Sequence, residues 1–302
     1  MWFLLSLLGY VLLAFAFILD KFILTKSVRE PAVYAFYSTI FLFGVLLAWP
    51  FGVEFLATRF DWIMAVFSGV TFGFALWALY IAVKKGEATH INPFNGAIAT
   101  AATFVLSSAF LAETLTGLQI AGVALLLFAS FLLMFEKSLT RTGFHIGFLW
   151  AALSGVLFAV SHVSAKYLYE VYPFLTGFVW SRAAIGLVGL FLLAHPAVRR
   201  SFRRKSGGQS KHAAKRYVLS IVVANKALGL AAVVLLQYAA AVGLVTLVVA
   251  LSGLQYVLMF VLAYVLTKTA PGFFKEYFTK RELAVQVVAI ILVAIGSAMF
   301  VL

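Results

Sequence analysis

Lysine, arginine and aspartate side chains lie inside apolar segments of this 302-residue sequence, where a charge is energetically unfavourable. Lys226 follows Asn225 in the stretch VVANKALGLAAVVLLQYAAAVG, residues 222–243, and Arg182 lies in FVWSRAAIGL. Asp20 lies near the end of the first apolar segment. A charged group at the centre of a bilayer helix costs about 2.5–3.5 kcal/mol on insertion scales. These residues are therefore expected to face a water-filled cavity or a partner, and we take them as candidate functional residues.

The charges inside the apolar segments do not balance. Asp20 is the only carboxylate that we place within such a segment, because the other acidic residues fall at segment ends or in connections. One ion pair between Asp20 and either Arg182 or Lys226 leaves a net positive charge. Carboxylate and phosphate groups bind such cations well. The sequence therefore predicts a substrate with a carboxylate or phosphate group. Three roles are open for Lys226: contact with the substrate, proton coupling, and a structural bridge to Asp20.

Further candidates are aromatic and polar residues of the apolar segments. Trp77, Tyr80 and Trp180 either line a cavity or serve as packing and interfacial residues. His162, which lies between Ser161 and Ser164, is either a hydrogen-bonded interior histidine or a ligand-binding residue.

Two further segments are interrupted by polar residues in corresponding positions. The first is HINPFNG, which contains Asn95 after Pro93, and the second is ALSGLQY, which contains Ser252 and Gln255. A proline frees a backbone carbonyl that a neighbouring amide or a ligand can use. Paired interruptions of this kind are typical of a binding site at the membrane midplane.

The composition identifies a membrane protein. Hydrophobic residues make up 64% of the chain, the mean hydropathy is +1.07, and 11% of residues are charged. A soluble domain carries about 25% charged residues. The five histidines are scattered, and cysteine is absent, so no metal-binding or catalytic pattern is found. We therefore expect neither an enzyme nor a cofactor.

The apolar segments predict an all-α integral membrane protein. A span needs about 20 mostly apolar residues, and the run lengths exclude a β-barrel. By this measure we predict ten transmembrane helices, at roughly 2–24, 31–50, 61–83, 89–111, 116–135, 144–168, 173–195, 217–240, 244–267 and 281–302.

The two halves of the chain resemble each other. Residues 80–96 align without gaps with residues 237–253. Because a unit of five spans is odd, its repeat enters the membrane with the opposite orientation, as in alternating-access transporters. We therefore predict two inverted repeats, over 1–138 and 144–302.

The basic residues predict the orientation. Of the 23 lysines and arginines, 19 lie at the odd-numbered connections and the adjacent segment ends. The positive-inside rule places these connections in the cytoplasm and both termini outside the plasma (inner) membrane. The basic loop 196–216 then acts as an orientation signal that contacts anionic lipid headgroups, and nucleic acid is not an expected partner.

The segment ALYIAVKKGEATHINPFNGAIATAATFVLSSAFLAETLTGLQIAGVALLLFASFLLM, residues 78–134, resembles the second part of an EamA repeat of the drug/metabolite transporter superfamily. The matching features are a glycine turn, a mid-span proline, and a glutamate followed by a glutamine and a glycine: Gly86, Pro93, Glu113, Gln119 and Gly122. In the second half, Glu282 and Gln286 stand at the corresponding positions. The resemblance covers nearly the whole chain in the ten-span form of the family.

The resemblance implies a secondary carrier of metabolites with its cavity between spans 1–4 and 6–9. The family moves amino acids, nucleotide sugars, sugar phosphates and drugs, so the resemblance leaves the substrate open. The chain departs from the family pattern in two ways. About ten extra residues precede Glu282, and the charge bias puts both termini outside, whereas relatives are expected to keep them in the cytoplasm. A flippase for a lipid-linked anionic sugar carrier is the alternative function, and a channel fits two inverted halves less well.

Overall fold

The computed structural model describes residues 1–26, 30–85, 88–134, 146–203, 212–269 and 280–302, and every regular element in them is helical. The α-helices are α1 Trp2–Lys26, α2 Pro31–Ile40, α3 Arg59–Lys85, α4 Ala88–Phe110, α5 Gly117–Met134, α6 Ile146–Val171, α7 Phe174–Ala183, α8 Ile185–Leu192, α9 Pro196–Arg203, α10 His212–Val242, α11 Val245–Ala250, α12 Ser252–Thr269 and α13 Lys280–Ala298. A 3₁₀ segment, Phe41–Phe51, continues α2. The predicted all-α class is confirmed for these residues.

Seven helical stretches of the described residues are long and apolar enough to cross a membrane: Trp2–Asp20, Pro31–Phe51, Arg59–Lys85, Ile146–Val171, Phe174–Leu192, Val223–Val242 and Val245–Thr269. Two shorter apolar helices cover Gly117–Leu132 and Ala284–Ala298. These lengths are compatible with a membrane protein, as the composition predicts.

The basic loop 196–216 is helical at both ends of its range. Residues Pro196–Arg203 form α9, and α10 begins at His212 instead of residue 217. The helix α9 begins with a proline at its first position, where its fixed φ angle suits a helix start. Judged by its charge alone, a basic run of this kind is interpreted as a loop. Arginine nevertheless has a high helix propensity, so such a run can form a helix.

The core forms where long helices pack in pairs. Helix α3 packs along α6, and α1 packs along α10. Helix α4 also packs along α6, α5 packs against α13, and α2 packs against α8. Small residues allow these close approaches. A Cβ atom on Gly69 of α3 would lie 2.6 Å from the backbone oxygen of Ser181 and 2.5 Å from Cβ of Ala184.

We expect Gly69→Ala to destabilise the protein, because the backbone of α7 cannot move away from an added methyl group. Overpacking of this kind costs about 1–3 kcal/mol. The matched control is Gly229→Ala in the middle of α10, where an added Cβ meets no atom within 4 Å. That change is expected to be neutral or stabilising by about 0.5–1 kcal/mol. Thermal unfolding of the two purified variants measures the difference, and equal unfolding temperatures would contradict the proposed close contact.

Candidate functional site

Among the residues whose burial the structure describes, Arg182 is the largest side chain that is almost fully buried, with 2% of its surface exposed. It lies in the last turn of α7, one residue before this helix ends at Ala183. None of its three guanidinium nitrogens has a hydrogen-bond partner. Its Cζ atom lies 4.7 Å from the ring centroid of Phe72, so an aromatic face covers one side of the guanidinium plane. The buried cation is therefore only partly compensated, by this cation–π contact and by the nearby Tyr169 hydroxyl.

Beside Arg182, a chain of hydrogen bonds connects α6 with α10. The Tyr169 hydroxyl donates to Oε1 of Gln237 at 2.9 Å, and the amide nitrogen of Gln237 lies 3.4 Å from Nδ1 of His162. Because an amide nitrogen can only donate, Nδ1 of His162 accepts, and the ring proton of neutral His162 lies on Nε2. Both His162 and Tyr169 lie close enough to Arg182 for electrostatic interaction. The structure thus brings the predicted candidates Arg182 and His162 together.

No carboxylate whose side chain the structure describes contacts Arg182. Each of five has other partners: Asp20 binds Tyr34 and Asn225, Asp61 binds two tyrosines, Glu113 binds α11, Glu170 pairs with Lys166, and Glu30 pairs with Lys84. The sixth, Glu54, lies in the connection before α3 with its side chain exposed. Among these residues, the guanidinium therefore has no anionic partner.

A second polar cluster joins α1, α2 and α10 around Asp20. The carboxylate of Asp20 accepts hydrogen bonds from the Tyr34 hydroxyl and, at 2.6 Å, from Nδ2 of Asn225. Asn225 is 2% exposed, and its Oδ1 atom has no hydrogen-bond partner. These bonds join α2 and α10 to the Asp20 carboxylate of α1, although α10 is far from α1 in the sequence.

Lys226 lies at the edge of this cluster and is exposed. Its Nζ atom donates to Oγ of Ser38 at 3.2 Å and lies 4.9 Å from the ring centroid of Tyr34. The Tyr80 hydroxyl donates to the same Ser38 oxygen at 3.3 Å. Lys226 acts on Asp20 electrostatically, but the direct hydrogen bond to Asp20 comes from Asn225. The structure thus groups four predicted candidates, Asp20, Tyr80, Asn225 and Lys226.

Sequence reasoning missed two members of this cluster, Tyr34 and Ser38. They lie four residues apart in PAVYAFYSTI and therefore face the same side of α2. That spacing of two hydroxyl groups within an apolar helix is the signal that identifies them. Neither residue is ionisable near neutral pH, and for this reason a search based on charge overlooks them.

The two clusters lie along one face of α10. Lys226 and Gln237 are eleven residues apart, which corresponds to about 16 Å and three turns of helix. Between them lies Gly229, where an added Cβ would meet no atom within 4 Å. The position beside Gly229 is therefore open, and it lies on α10 between the exposed Lys226 and the buried Gln237.

Packing around this face is uneven. Helix α3 packs against both α7 and α8, whereas the described part of α10 makes at most sparse contact with α2. Lys226 is exposed at this place, and its long side chain reaches across to Ser38. The protein is therefore loosely packed between α2 and α10.

The opposite end of the helices is the closed end, where hydrogen bonds join the start of α3 to the end of α6 and to the residues next to both helices. The carboxylate of Asp61 accepts from Tyr167 at 2.8 Å and from Tyr172 at 2.7 Å, and the Tyr172 oxygen accepts from the Ala57 amide. The bond to Asp61 raises the pKa of Tyr172, so this phenol stays protonated and able to donate. The Trp180 ring nitrogen also donates a hydrogen bond to the Glu54 carbonyl at 2.8 Å.

Two charged side chains cap helix ends at this closed end. Glu113 accepts hydrogen bonds from the amides of Val245 and Thr246 at 2.8 and 3.4 Å, where α11 begins. Lys166 donates to the carbonyls of Ala241 and Gly243 at 3.2 and 3.0 Å, where α10 ends. A carboxylate at a helix N-terminus and an ammonium at a C-terminus both interact favourably with the helix dipole. Both residues therefore have structural partners.

We expect Glu113→Ala to lower the free energy of unfolding by about 1–3 kcal/mol, because it leaves buried backbone amides of α11 without an acceptor. Glu54→Ala is the matched control, since the contacts of Glu54 are made by its backbone. Thermal unfolding of both variants measures the effect. An equal loss in the two variants would show that Glu113 does not stabilise α11.

The remaining predicted candidates lie outside the two clusters. Asn95 donates to the Ala151 carbonyl at 2.9 Å and joins α4 to α6. Trp180 packs with other aromatic rings at the closed end, and Trp77 lies 5.9 Å from the His195 ring. Ser252 and Gln255 are buried in α12, and the amide of Gln255 lies 3.9 Å from the Met259 sulfur. Within the described residues, no three histidine or acidic side chains group as metal ligands.

No protein-family model and no curated protein matches this sequence. The fold does have a counterpart among solved structures. One structure, named only as "Crystal structure of protein", has a TM-score of 0.65 and 19% sequence identity, and the match covers 99% of this chain and 94% of the other. At this identity the similarity shows the fold alone.

Proposed function

We propose that the chain is a secondary transporter that moves a small metabolite across the plasma membrane by alternating access. The substrate carries a carboxylate or phosphate group, as amino acids, organic anions and sugar phosphates do. The observation that carries the proposal is the buried guanidinium of Arg182, whose three nitrogens have no hydrogen-bond partner. A buried ion costs several kcal/mol unless it is compensated. An anionic ligand supplies the missing compensation.

The helix packing supports the ten-span arrangement with two inverted EamA-type repeats. In this arrangement α2 with the 3₁₀ segment, α7 with α8, and α11 with α12 each form one span. Spans 3 and 6 pack together, and so do spans 8 and 1, which are their counterparts in the other repeat. Spans 5 and 10 pack against each other, as do spans 2 and 7. Such pairs are expected from a two-fold relation between the halves.

One pair breaks this relation and supports alternating access. Span 3 packs against span 7, but its counterpart, span 8, leaves a gap toward span 2. A carrier that opens to one side at a time has this difference between equivalent helix pairs. In the proposed cycle, the gap between α2 and α10 closes while the bonds around Asp61 at the other end break.

Uptake into proteoliposomes tests the function. We expect a labelled organic anion to accumulate, and Arg182→Met to abolish its transport, while neutral and cationic compounds are not transported. Binding of only neutral or cationic compounds, together with an active Arg182→Met variant, would contradict the proposal. This assay compares a panel of carboxylates, amino acids and sugar phosphates.

A flippase for a lipid-linked anionic sugar carrier is the second candidate. The observation that favours it is the exposed Lys226 beside the gap between α2 and α10, where a lipid headgroup has lateral access. A lipid-scrambling assay on the same proteoliposomes separates the two functions. Scrambling without uptake of aqueous anions would favour the flippase.

The orientation is tested by thiol labelling, because the chain contains no cysteine. The charge bias predicts that Ser206→Cys, in the basic loop, reacts only from the cytoplasmic side. Gly117→Cys, at the start of α5, is expected to react only from outside. Labelling of position 206 by an impermeant reagent added to intact cells would reverse the proposed topology and place both termini in the cytoplasm.

A further inference from the structure

The residues around Arg182 indicate which class of substrate the site accepts. This inference rests on the proposed function. Arg182 is the unpaired cation of the site. Lys166 lies one turn along α6 from His162, and it is paired with Glu170 and with the Ala241 and Gly243 carbonyls. The polar neighbours His162, Tyr169 and Gln237 are neutral, and they are hydrogen-bonded to each other. The protein therefore presents a net charge of +1 to a ligand at this site.

The strongest unused hydrogen-bonding groups of the site are donors. The guanidinium nitrogens of Arg182 have no acceptor, and the chain from Tyr169 through Gln237 leaves the Nε2 proton of His162 as a further donor. Oε1 of Gln237 already accepts from Tyr169. An ammonium group on the substrate therefore finds no carboxylate at this site, and the face of Phe72 is already covered by Arg182.

The apolar walls are aromatic. The Phe72 and Phe158 ring centroids lie 5.1 Å apart in an edge-to-face arrangement, and the His162 ring lies 6.2 and 6.3 Å from them. Since Phe72 covers one face of the guanidinium, a ligand approaches its edge, where the N–H groups form a fork. A carboxylate matches this fork with two parallel hydrogen bonds.

We infer that the Arg182 site binds monovalent carboxylates with an apolar or aromatic body, and that it discriminates against zwitterionic amino acids and phosphate monoesters. A carboxylate neutralises one guanidinium. A phosphate monoester carries a charge of about −1.5 to −2 at neutral pH and leaves an uncompensated negative charge in the protein. An amino acid adds an ammonium group that has no partner here.

The test uses three probes with the same ring: phenylacetate, phenylalanine and phenyl phosphate. Thermal stabilisation of the purified protein is titrated with each probe. We expect phenylacetate to bind at least tenfold more tightly than the other two. Arg182→Met is expected to abolish the stabilisation, and Arg182→Lys to weaken it while the order of the probes is kept. Arg200→Met is the control, because Arg200 is exposed on α9.

The outcomes separate this inference from the proposed function. If phenylalanine or phenyl phosphate binds as tightly as phenylacetate and Arg182→Met abolishes it, the selectivity is wrong and the anion transporter stands. The inference also fails if neither phenylacetate, benzoate nor hexanoate stabilises the wild-type protein, or if phenylacetate stabilises Arg182→Met equally. If, in addition, no anion of any class is bound or transported, the proposed function fails as well.

Discussion

Arg182→Met is expected to unfold at a higher temperature than the wild-type protein and to lose transport of the anionic substrate. Met has a similar shape but no charge, and replacing buried ionic groups by well-packed apolar side chains is neutral or stabilising by about 1–4 kcal/mol. The higher unfolding temperature is expected because Arg182 is 2% exposed and its guanidinium nitrogens have no hydrogen-bond acceptor. The loss of binding is expected to be at least 100-fold, since removing one member of a buried ion pair costs about 3–5 kcal/mol.

The opposite signs of these two effects distinguish a ligand-binding arginine from a structural one. A structural arginine would stabilise the fold, so its replacement would lower the unfolding temperature together with transport. Thermal unfolding with and without substrate, and uptake into proteoliposomes, measure both effects on the same preparation. Arg200→Met is expected to change neither the unfolding temperature nor the transport rate. A less stable Arg182→Met variant that still binds the substrate would contradict the assigned role.

Hydropathy was sufficient to predict where the helices lie, because an apolar run of about 20 residues has few alternatives to a helix in a bilayer. Helix α3 covers Arg59–Lys85, where the prediction was 61–83. The same reasoning failed at α9, whose residues Pro196–Arg203 are too polar to be recognised by hydropathy. The local tightening of the helix at Ala184, between α7 and α8, was also not predicted.

For the site, charge predicted which residues are unusual but not how they are grouped. Arg182 and Lys226 looked equivalent in the sequence, yet Arg182 is buried and Lys226 is exposed. Burial depends on which helices are neighbours, and the uneven packing of α10 is a tertiary property. The bond from Asn225 to Asp20 shows the same limit, because the sequence assigned that bridging role to Lys226 as one alternative.

Oxidation of the double variant Ser38→Cys/Lys226→Cys is expected to stop transport, and a reductant is expected to restore it. These residues face each other across the gap between α2 and α10, where Nζ of Lys226 reaches Oγ of Ser38 at 3.2 Å. A cysteine is much shorter than a lysine, and a disulfide requires Cα atoms about 4.4–6.8 Å apart. We expect the bond to form when the gap narrows and then to lock this side closed.

The chain contains no cysteine of its own, so each engineered pair supplies the only two thiols of the protein. Ser38→Cys/Ala227→Cys is the matched control, since position 227 lies about 100° further around α10. We expect cross-linking and loss of transport, by at least tenfold relative to the reduced protein, in the first pair only. Substrate is expected to change the rate of cross-linking, because it shifts the populations of the two states. If the first pair does not cross-link during active transport, the gap between α2 and α10 does not close, and the proposed alternating movement of these helices is wrong.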